Sequence, residues 1–388
     1  MTLPMRTMLL ATILAGGPVA SVTGQTWDQT GTGTVEDLIH LLASKDYKQR
    51  ERATSLLVER RDAAAALTKA LQSEDLEVRS RAGAILKESG KRQKARMLQR
   101  LKALASDGAV DQMTELLAQW PAGFEETSCW NEVCKVAESL LMLHQKQLGN
   151  SPSKGFRRDS AEGPKVVVGN RVAKVPHIED KDYFLRAGGV DLDGVLEPII
   201  AVSSGRFSIE FLGHGGAIFA NGPVDVGHIL GHRDTVIVSD SDLKVTLGAS
   251  ALIIARGTVT CDGPCGGCNI ISGKKLAVTA RGKLFKCLVT EYEPEPLGLV
   301  KWFDPAREGV QVGEAQGGVR VKAADADKPF AQAELLPGDL VTAVDGQAVD
   351  SFETFRRLVR RGLASPDGFT LRVVRDGQNH DLWVECPW

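Results

Sequence analysis

Four cysteines, two histidines and four aspartates between Asp191 and Cys287 are this chain's candidates for chemistry. Cys261, Cys265 and Cys268 form a C-x3-C-x2-C run, and Cys287 follows 19 residues after Cys268. Four thiolates suit a structural zinc ion, which takes sulfur ligands in tetrahedral sets. In an oxidising compartment the same residues suit a disulfide: Cys268 and Cys287 lie close to one coil apart, and Cys265 competes with Cys268 for the bond. His228-x3-His232 with Asp234 is the most metal-like cluster elsewhere, but Gly227 and Gly231 place it on a turn and no Glu accompanies it. Asp191, Asp225 and Asp240, with His232, are the groups that would carry acid–base cleavage of a sugar polymer, a reaction that needs paired carboxylates. Neither Gly-x-Ser-x-Gly nor Gly-Asn/Asp-Ser-Gly-Gly occurs. The reading is no catalytic residue, no cofactor and no metal, with the four cysteines as the alternative metal set.

These residues ride on a repeat. Ten-residue copies begin at Tyr183, Ile200, Ala217, Val236, Leu252 and Asn269, with starts 17, 17, 19, 16 and 17 residues apart, and Val166 opens a degenerate seventh. Each is a short apolar run, a small polar turn and an apolar-x-apolar pair. One such coil cannot bury its own apolar face, so the coils must stack, and their Val and Ile content makes the stack a β-solenoid over residues 165–290. Val226, Val245 and Val278 are expected in one buried column, with Asp225, Lys244 and Ala277 facing out. Cys261 takes the apolar slot of its copy. The C-x3-C-x2-C run is also similar to the cluster ligands of radical-SAM enzymes, but Gly267 stands where that family has an aromatic residue.

Upstream the pattern is helical. Asp46-x3-Arg50-x2-Ala53-x3-Leu57 recurs 29 residues later as Asp75-x3-Arg79-x2-Ala82-x3-Leu86. Each Asp is placed to cap a helix and pair with its Arg. The spacing resembles HEAT-like repeats, and residues 34–149 are read as one helical domain. Lys87, Lys91, Arg92, Lys94, Arg96, Arg100 and Lys102 crowd one stretch, but no aromatic residue interleaves them to stack on a base, so they are read as a solvated face. The net charge of −2 gives no global reason to expect nucleic acid. Arg6, the apolar run from Met8 and the small residues up to Gly24 read as a cleaved signal peptide over 1–24, hence a periplasmic or secreted protein. Residues 150–164 and 291–306 read as linkers, the second kept extended by alternating Glu and Pro.

The last segment carries the most specific family signal. Residues 329–346 (PFAQAELLPGDLVTAVDG) resemble the central strands of bacterial PDZ domains, and the likeness runs over 307–386. Asp350-Ser-Phe-Glu353 reads as a capping box for a helix that stops at Gly362. The resemblance implies an added-strand peptide site: Arg307, Glu308, Gly309 and Val310 as the loop that offers N–H groups to a carboxylate, Gln311 and Val312 beside it, and Phe352, Phe355 and Val359 lining the groove. Glu308 stands where that family usually has an apolar residue. The expected molecule is a multidomain α and β protein: helical repeats, a β-solenoid with ~17-residue coils and a PDZ domain. Its expected role is that of an exported, non-enzymatic scaffold or adaptor binding a protein or peptide, such as a C-terminal tail, and not spanning a membrane. A β-helix carbohydrate-active enzyme, or a polymer-forming solenoid similar to bactofilins, is the alternative.

Overall fold

The computed structural model describes residues 33–120, 126–148, 164–175, 182–196, 198–213, 215–230 and 235–386. The expected signal peptide, nearly all of the 150–164 linker, His214, His232 and Asp234 lie outside the described residues. The chain divides into two compact units, one ending at Ile85 and one spanning Leu86–Trp388.

The first unit is helical: α1 (Val35–Leu41), α2 (Tyr47–Glu59), α3 (Ala64–Ala70) and the start of α4 (Leu76–Asp107). Thr34 and Asp37 form a capping box at α1. The two Asp-x3-Arg motifs play matching parts. Asp46 accepts from the Lys48 N–H and Asp75 from the Glu77 N–H, both at 2.8 Å. Their arginines do not turn to the aspartates as expected. Arg50 Nη1 donates to the Ser44 carbonyl at 2.6 Å and Arg79 Nη1 to the Ser73 carbonyl at 2.7 Å, tying each helix to the turn before it. Ala53, Leu57, Ala82 and Ile85 are buried.

In the second unit α4 continues, followed by α5 (Val110–Ala118), α6 (Glu126–Leu148), the solenoid and the C-terminal sheet. One solenoid sheet is wholly parallel along β1 (Lys165–Gly169), β2 (Tyr183–Ala187), β4 (Ile199–Ser203), β6 (Gly216–Ala220), β8 (Thr235–Ser239), β10 (Ala251–Ala255), β13 (Asn269–Ser272) and β16 (Leu288–Glu291). Strand β1 is the degenerate copy, with Val166 in register with Phe184. The second sheet runs through β3 (Val190–Val195), β5 (Phe207–Leu212), β7 (Val224–Ile229), β9 (Leu243–Ala249), β11 (Val259–Cys261) and β14 (Leu276–Val278). Short β12 (Pro264–Gly266) and β15 (Lys283–Phe285) add a third side at the end.

From β2 to β13 the first sheet is buried on both faces. Leu185, Ala201, Ile218, Ile237, Ile253 and Ile270 point into the solenoid, while Phe184, Val202, Phe219, Val238, Ile254 and Ile271 pack under Leu101, Met113, Leu116, Val133 and Leu140 of α4, α5 and α6. Hence its strands are continuous apolar runs rather than alternating ones. The helical region is therefore not one domain: its later helices are the cover of this sheet.

The second sheet alternates as expected. Leu192, Ile209, Val226, Val245, Cys261 and Val278 stand in register, as do Asp191, Ser208, Asp225, Lys244, Thr260 and Ala277. Val226 and Val245 are fully buried, but Val278 is 45% exposed. It lies on β14, the last strand, with no further coil stacked on it.

The C-terminal sheet is antiparallel: β17 (Val310–Ala315), β18 (Gly318–Ala324), β19 (Leu340–Val344), β21 (Phe369–Arg375) and β22 (Gln378–Val384), with β20 (Gln347–Ala348) paired to β19. Helices α7 (Pro329–Gln332) and α8 (Phe352–Leu363) complete it. The cap of α8 is Ser351, which accepts from Thr354 N–H at 3.2 Å, rather than Asp350 with Glu353. Gly362 does not stop the helix. It lies in the last turn of α8, where Phe369 packs so close that a Cβ would come 2.5 Å from the ring.

The segment expected as the second linker is partly fixed. Val300, Trp302 and Phe303 are buried, and Glu291 belongs to β16.

Candidate functional site

Helix α8 is buried on two sides. One side, Phe355, Leu358, Val359 and Leu363, fills the core of the C-terminal sheet. The other carries Arg356 and Arg360, each 1% exposed, into a junction with α5 and the solenoid. Arg356 Nη2 donates to Asp240 Oδ2 at 2.7 Å and to Glu353 Oε1 at 2.6 Å. Arg360 donates to the same Asp240 oxygen, and lies 3.4 Å from both Asp111 Oδ2 and Glu115 Oε1.

The solenoid supplies its share from one corner. Asn221, Asp240 and Arg256 follow directly after β6, β8 and β10, so successive coils stack them. Asn221 Nδ2 donates to the Asp111 carbonyl at 2.9 Å, and Arg256 lies 3.6 Å from Asp240 and 3.5 Å from Glu353. Asp111 also accepts from Phe303 N–H at 2.7 Å, which fastens the joint before the last sheet. Earlier along the solenoid, Arg186 of β2 donates to the carbonyls of Leu117 and Trp120 at the end of α5, at 2.8 and 3.0 Å.

Three buried carboxylates, Asp111, Glu115 and Asp240, and the more exposed Glu353 face two buried guanidiniums here. Burial pushes the Asp111 and Glu115 carboxyls up, against the pull of Arg360. Burial works against the charge on Arg360 too, yet Asp240 and Asp111 hold its pKa above the usual value. Burial would also raise Glu353, but the Arg356 hydrogen bond leaves it below the ordinary range. Sequence reasoning missed this site, since its members lie on three elements far apart in the chain. The only trace is Asp240, an acid that follows directly on a buried strand.

The residues expected to hold a peptide divide. Val310, Phe355 and Val359 are completely buried in the core, so they support the groove from within and present no surface to a ligand. Arg307 and Gln311 are exposed, and Glu308, Val312 and Phe352 are half-buried. Among the described residues strand β17 pairs only with β18 and is the edge of its sheet. The loop N–H groups are already engaged: Arg307 N donates to Asp304 O, Glu308 N and Val310 N to Pro305 O, and Gly309 N to Ala306 O, at 3.0–3.2 Å. Arg307 itself pairs with Glu295.

The carboxylates considered for sugar cleavage are scattered. Asp240 is sealed in the junction, Asp191 pairs with Arg171, and Asp225 lies 4.0 Å from Arg206 on the open face of the second sheet. The four solenoid thiols hydrogen-bond pairwise, Cys261 with Cys265, Cys265 with Cys268 and Cys268 with Cys287, and among the described residues no three His, Cys, Asp or Glu side chains converge to hold a metal ion. Nor, among those residues, is any helix long and apolar enough to cross a membrane.

Comparison with known proteins agrees with the C-terminal geometry. The family model for the PDZ domain matches residues 308–386, and this sheet with its capped helix is a PDZ domain. Among solved structures the chain is similar to the HtrA-type protease AlgW, in a substituted form with a decapeptide. The identity is 26% and the TM-score 0.19, with 20% of this chain and 27% of that chain covered. No curated protein matches.

Proposed function

We propose that this protein is an exported, non-enzymatic scaffold that presents a PDZ edge strand to a protein or peptide partner at a fixed orientation. The observation that carries the proposal is the pairing of Arg356 and Arg360 on α8 with Asp240 and Asp111. It ties the groove helix to the solenoid while β17 keeps an unpaired edge. PDZ domains take ligands by adding a strand to such an edge.

The loop geometry narrows the ligand. With its N–H groups engaged and Glu308 beside them, the loop has little to offer a terminal carboxylate. The partner is therefore an extended internal segment held by main-chain hydrogen bonds. Titration of the full chain with free-acid and C-terminally amidated forms of library peptides tests this. The two forms should bind within about twofold of each other, with free acids weaker than roughly 100 μM, about −5.5 kcal/mol. Glu308→Leu should tighten free-acid binding about tenfold, roughly the 1.4 kcal/mol expected from a more apolar pocket lining and the loss of one charge repulsion. A free-acid preference of tenfold or more in the native chain would sink the reading.

A second reading, end-to-end polymerisation of the solenoid, is favoured by the exposure of Phe285, Leu288 and Val289 at its last coil. Lys283 and Lys286 flank Phe285, and edge lysines oppose strand pairing between copies. Filaments in electron micrographs of the purified protein would favour this reading over the scaffold.

A further inference from the structure

Four of the seven cysteines gather in the last two coils. Cys261 ends β11, Cys265 lies in β12, and Cys268 and Cys287 immediately precede β13 and β16. The first three are fully buried and Cys287 is half-buried. Their thiols hydrogen-bond in a line, Cys261 to Cys265, Cys265 to Cys268, and Cys268 to Cys287. Asn269 is in register with Leu288, so Cys268 and Cys287 sit opposite each other on neighbouring parallel strands. Strands so paired lie about 4.8 Å apart, inside the Cα window of a disulfide.

The same region is where the solenoid is left open. Val278, Phe285, Leu288 and Val289 are all exposed there. A terminal repeat has a neighbour on one side only and lacks half of its stacking energy.

We propose that these four cysteines close as two disulfides, Cys261–Cys265 and Cys268–Cys287, which together cap the open end of the solenoid covalently. Four thiols in a line admit one pairing that joins each to a touching neighbour. A bond between the middle two would strand Cys261 and Cys287. Hydrogen bonds from Cys261 and then Cys268 lower Cys265 to about 4, and that from Cys268 lowers Cys287 to about 6. Cys265 pushes Cys261 up, and Cys265 and then Cys287 push Cys268 up. Each pair thus joins one ready thiolate, the attacking form, to one thiol.

Oxidised glutathione suffices as the oxidant. The half-exposed Cys287 thiolate attacks it, releasing one glutathione and forming a mixed disulfide. Cys268 loses its proton and attacks the Cys287 sulfur, releasing the second glutathione. The Cys265 thiolate then attacks Cys268 and frees Cys287, and Cys261, deprotonated in turn, attacks Cys265 and frees Cys268. A second oxidised glutathione re-forms Cys268–Cys287. Four protein thiols become two disulfides, and two glutathione disulfides become four glutathione thiols.

The proposal rests on the exported location proposed above only for its setting in the cell. Its test supplies the oxidant directly, so its failure is distinguishable from failure of that reading. The full chain is equilibrated with oxidised glutathione, denatured, alkylated and mapped by mass spectrometry. Alkylatable thiols should fall from seven to the three outside the cluster, Cys129, Cys134 and Cys386, with the two stated pairs recovered. Retention of all seven thiols, a dominant Cys265–Cys268 bond, or a zinc ion held by the four reduced cysteines would each overturn it. The cap itself is read by hydrogen exchange of the Leu288–Glu291 amides. Reduction of the native protein should speed their exchange on the order of a hundredfold, the scale of one loop closure, and unchanged rates would show that the bonds cap nothing.

Discussion

Arg360 is the residue on which the junction turns. It is fully buried and reaches Asp240, Asp111 and Glu115 together. Breaking a buried ion pair from one side leaves uncompensated charge, and Arg360→Leu leaves three carboxylates to Arg356 and the half-exposed Arg256. It should cost about 3–5 kcal/mol in chemical denaturation. Adding Asp240→Leu should recover part of that loss, because an apolar pair needs no desolvation. Titration adds a second readout. The folded-state pKa values of Asp111 and Glu115 are raised, so the folded protein binds more protons than the unfolded one. Their stabilisation is complete at low pH and is lost as pH rises from the ordinary carboxylate range through the raised values. Glu353 has the opposite sign, being held low, and its contribution is lost as pH falls. Asp111→Asn isolates the first effect. The variant should gain stability relative to the native chain as pH rises, and a parallel pair of stability–pH curves would refute the assignment.

At the scale of elements, the two solenoid sheets differ in what covers them. The second sheet meets water on one face, and its alternation could be read directly from the repeat copies. The first carries helices on its outer face, and apolar runs such as Ile199–Val202 and Ala251–Ala255 are the sign of that cover. Position along the stack matters equally. Val245 and Val278 occupy the same column, but only Val245 has coils on both sides. Val245→Asp should cost several kcal/mol, on the order of 3–5, by placing an unpaired charge in a dry core. Val278→Asp should stay within about 1 kcal/mol, since water already reaches the site. Thermal unfolding of the two variants side by side decides it; equal losses would mean that the last coil is covered.

For the whole molecule, the consequence is that the PDZ domain is not a freely tethered module. The chain joining it to the solenoid is pinned by Phe303 to Asp111, and α8 brings two of the cations that neutralise the junction. Removing residues 308–386 should therefore destabilise the solenoid and its covering helices, lowering their melting temperature and raising protease susceptibility. A tethered module would leave both unchanged, and that outcome would end the fixed-orientation model. What the sequence by itself determined is whatever depends on local period: the solenoid with its two residue columns, the helical start with its capping aspartates, and the PDZ strands. Coil spacing and turn chemistry are printed in consecutive residues, and no distant partner is needed to read them. What only the tertiary structure decided is everything that depends on cover and on charge meeting charge at long range. In sequence Asp240 reads as a candidate acid for sugar cleavage, and Arg356, Arg360 and Asp111 give no sign of a shared site. Each is an ordinary surface residue on its own element, and burial alone, brought about when α5, the solenoid corner and α8 meet, makes them one site.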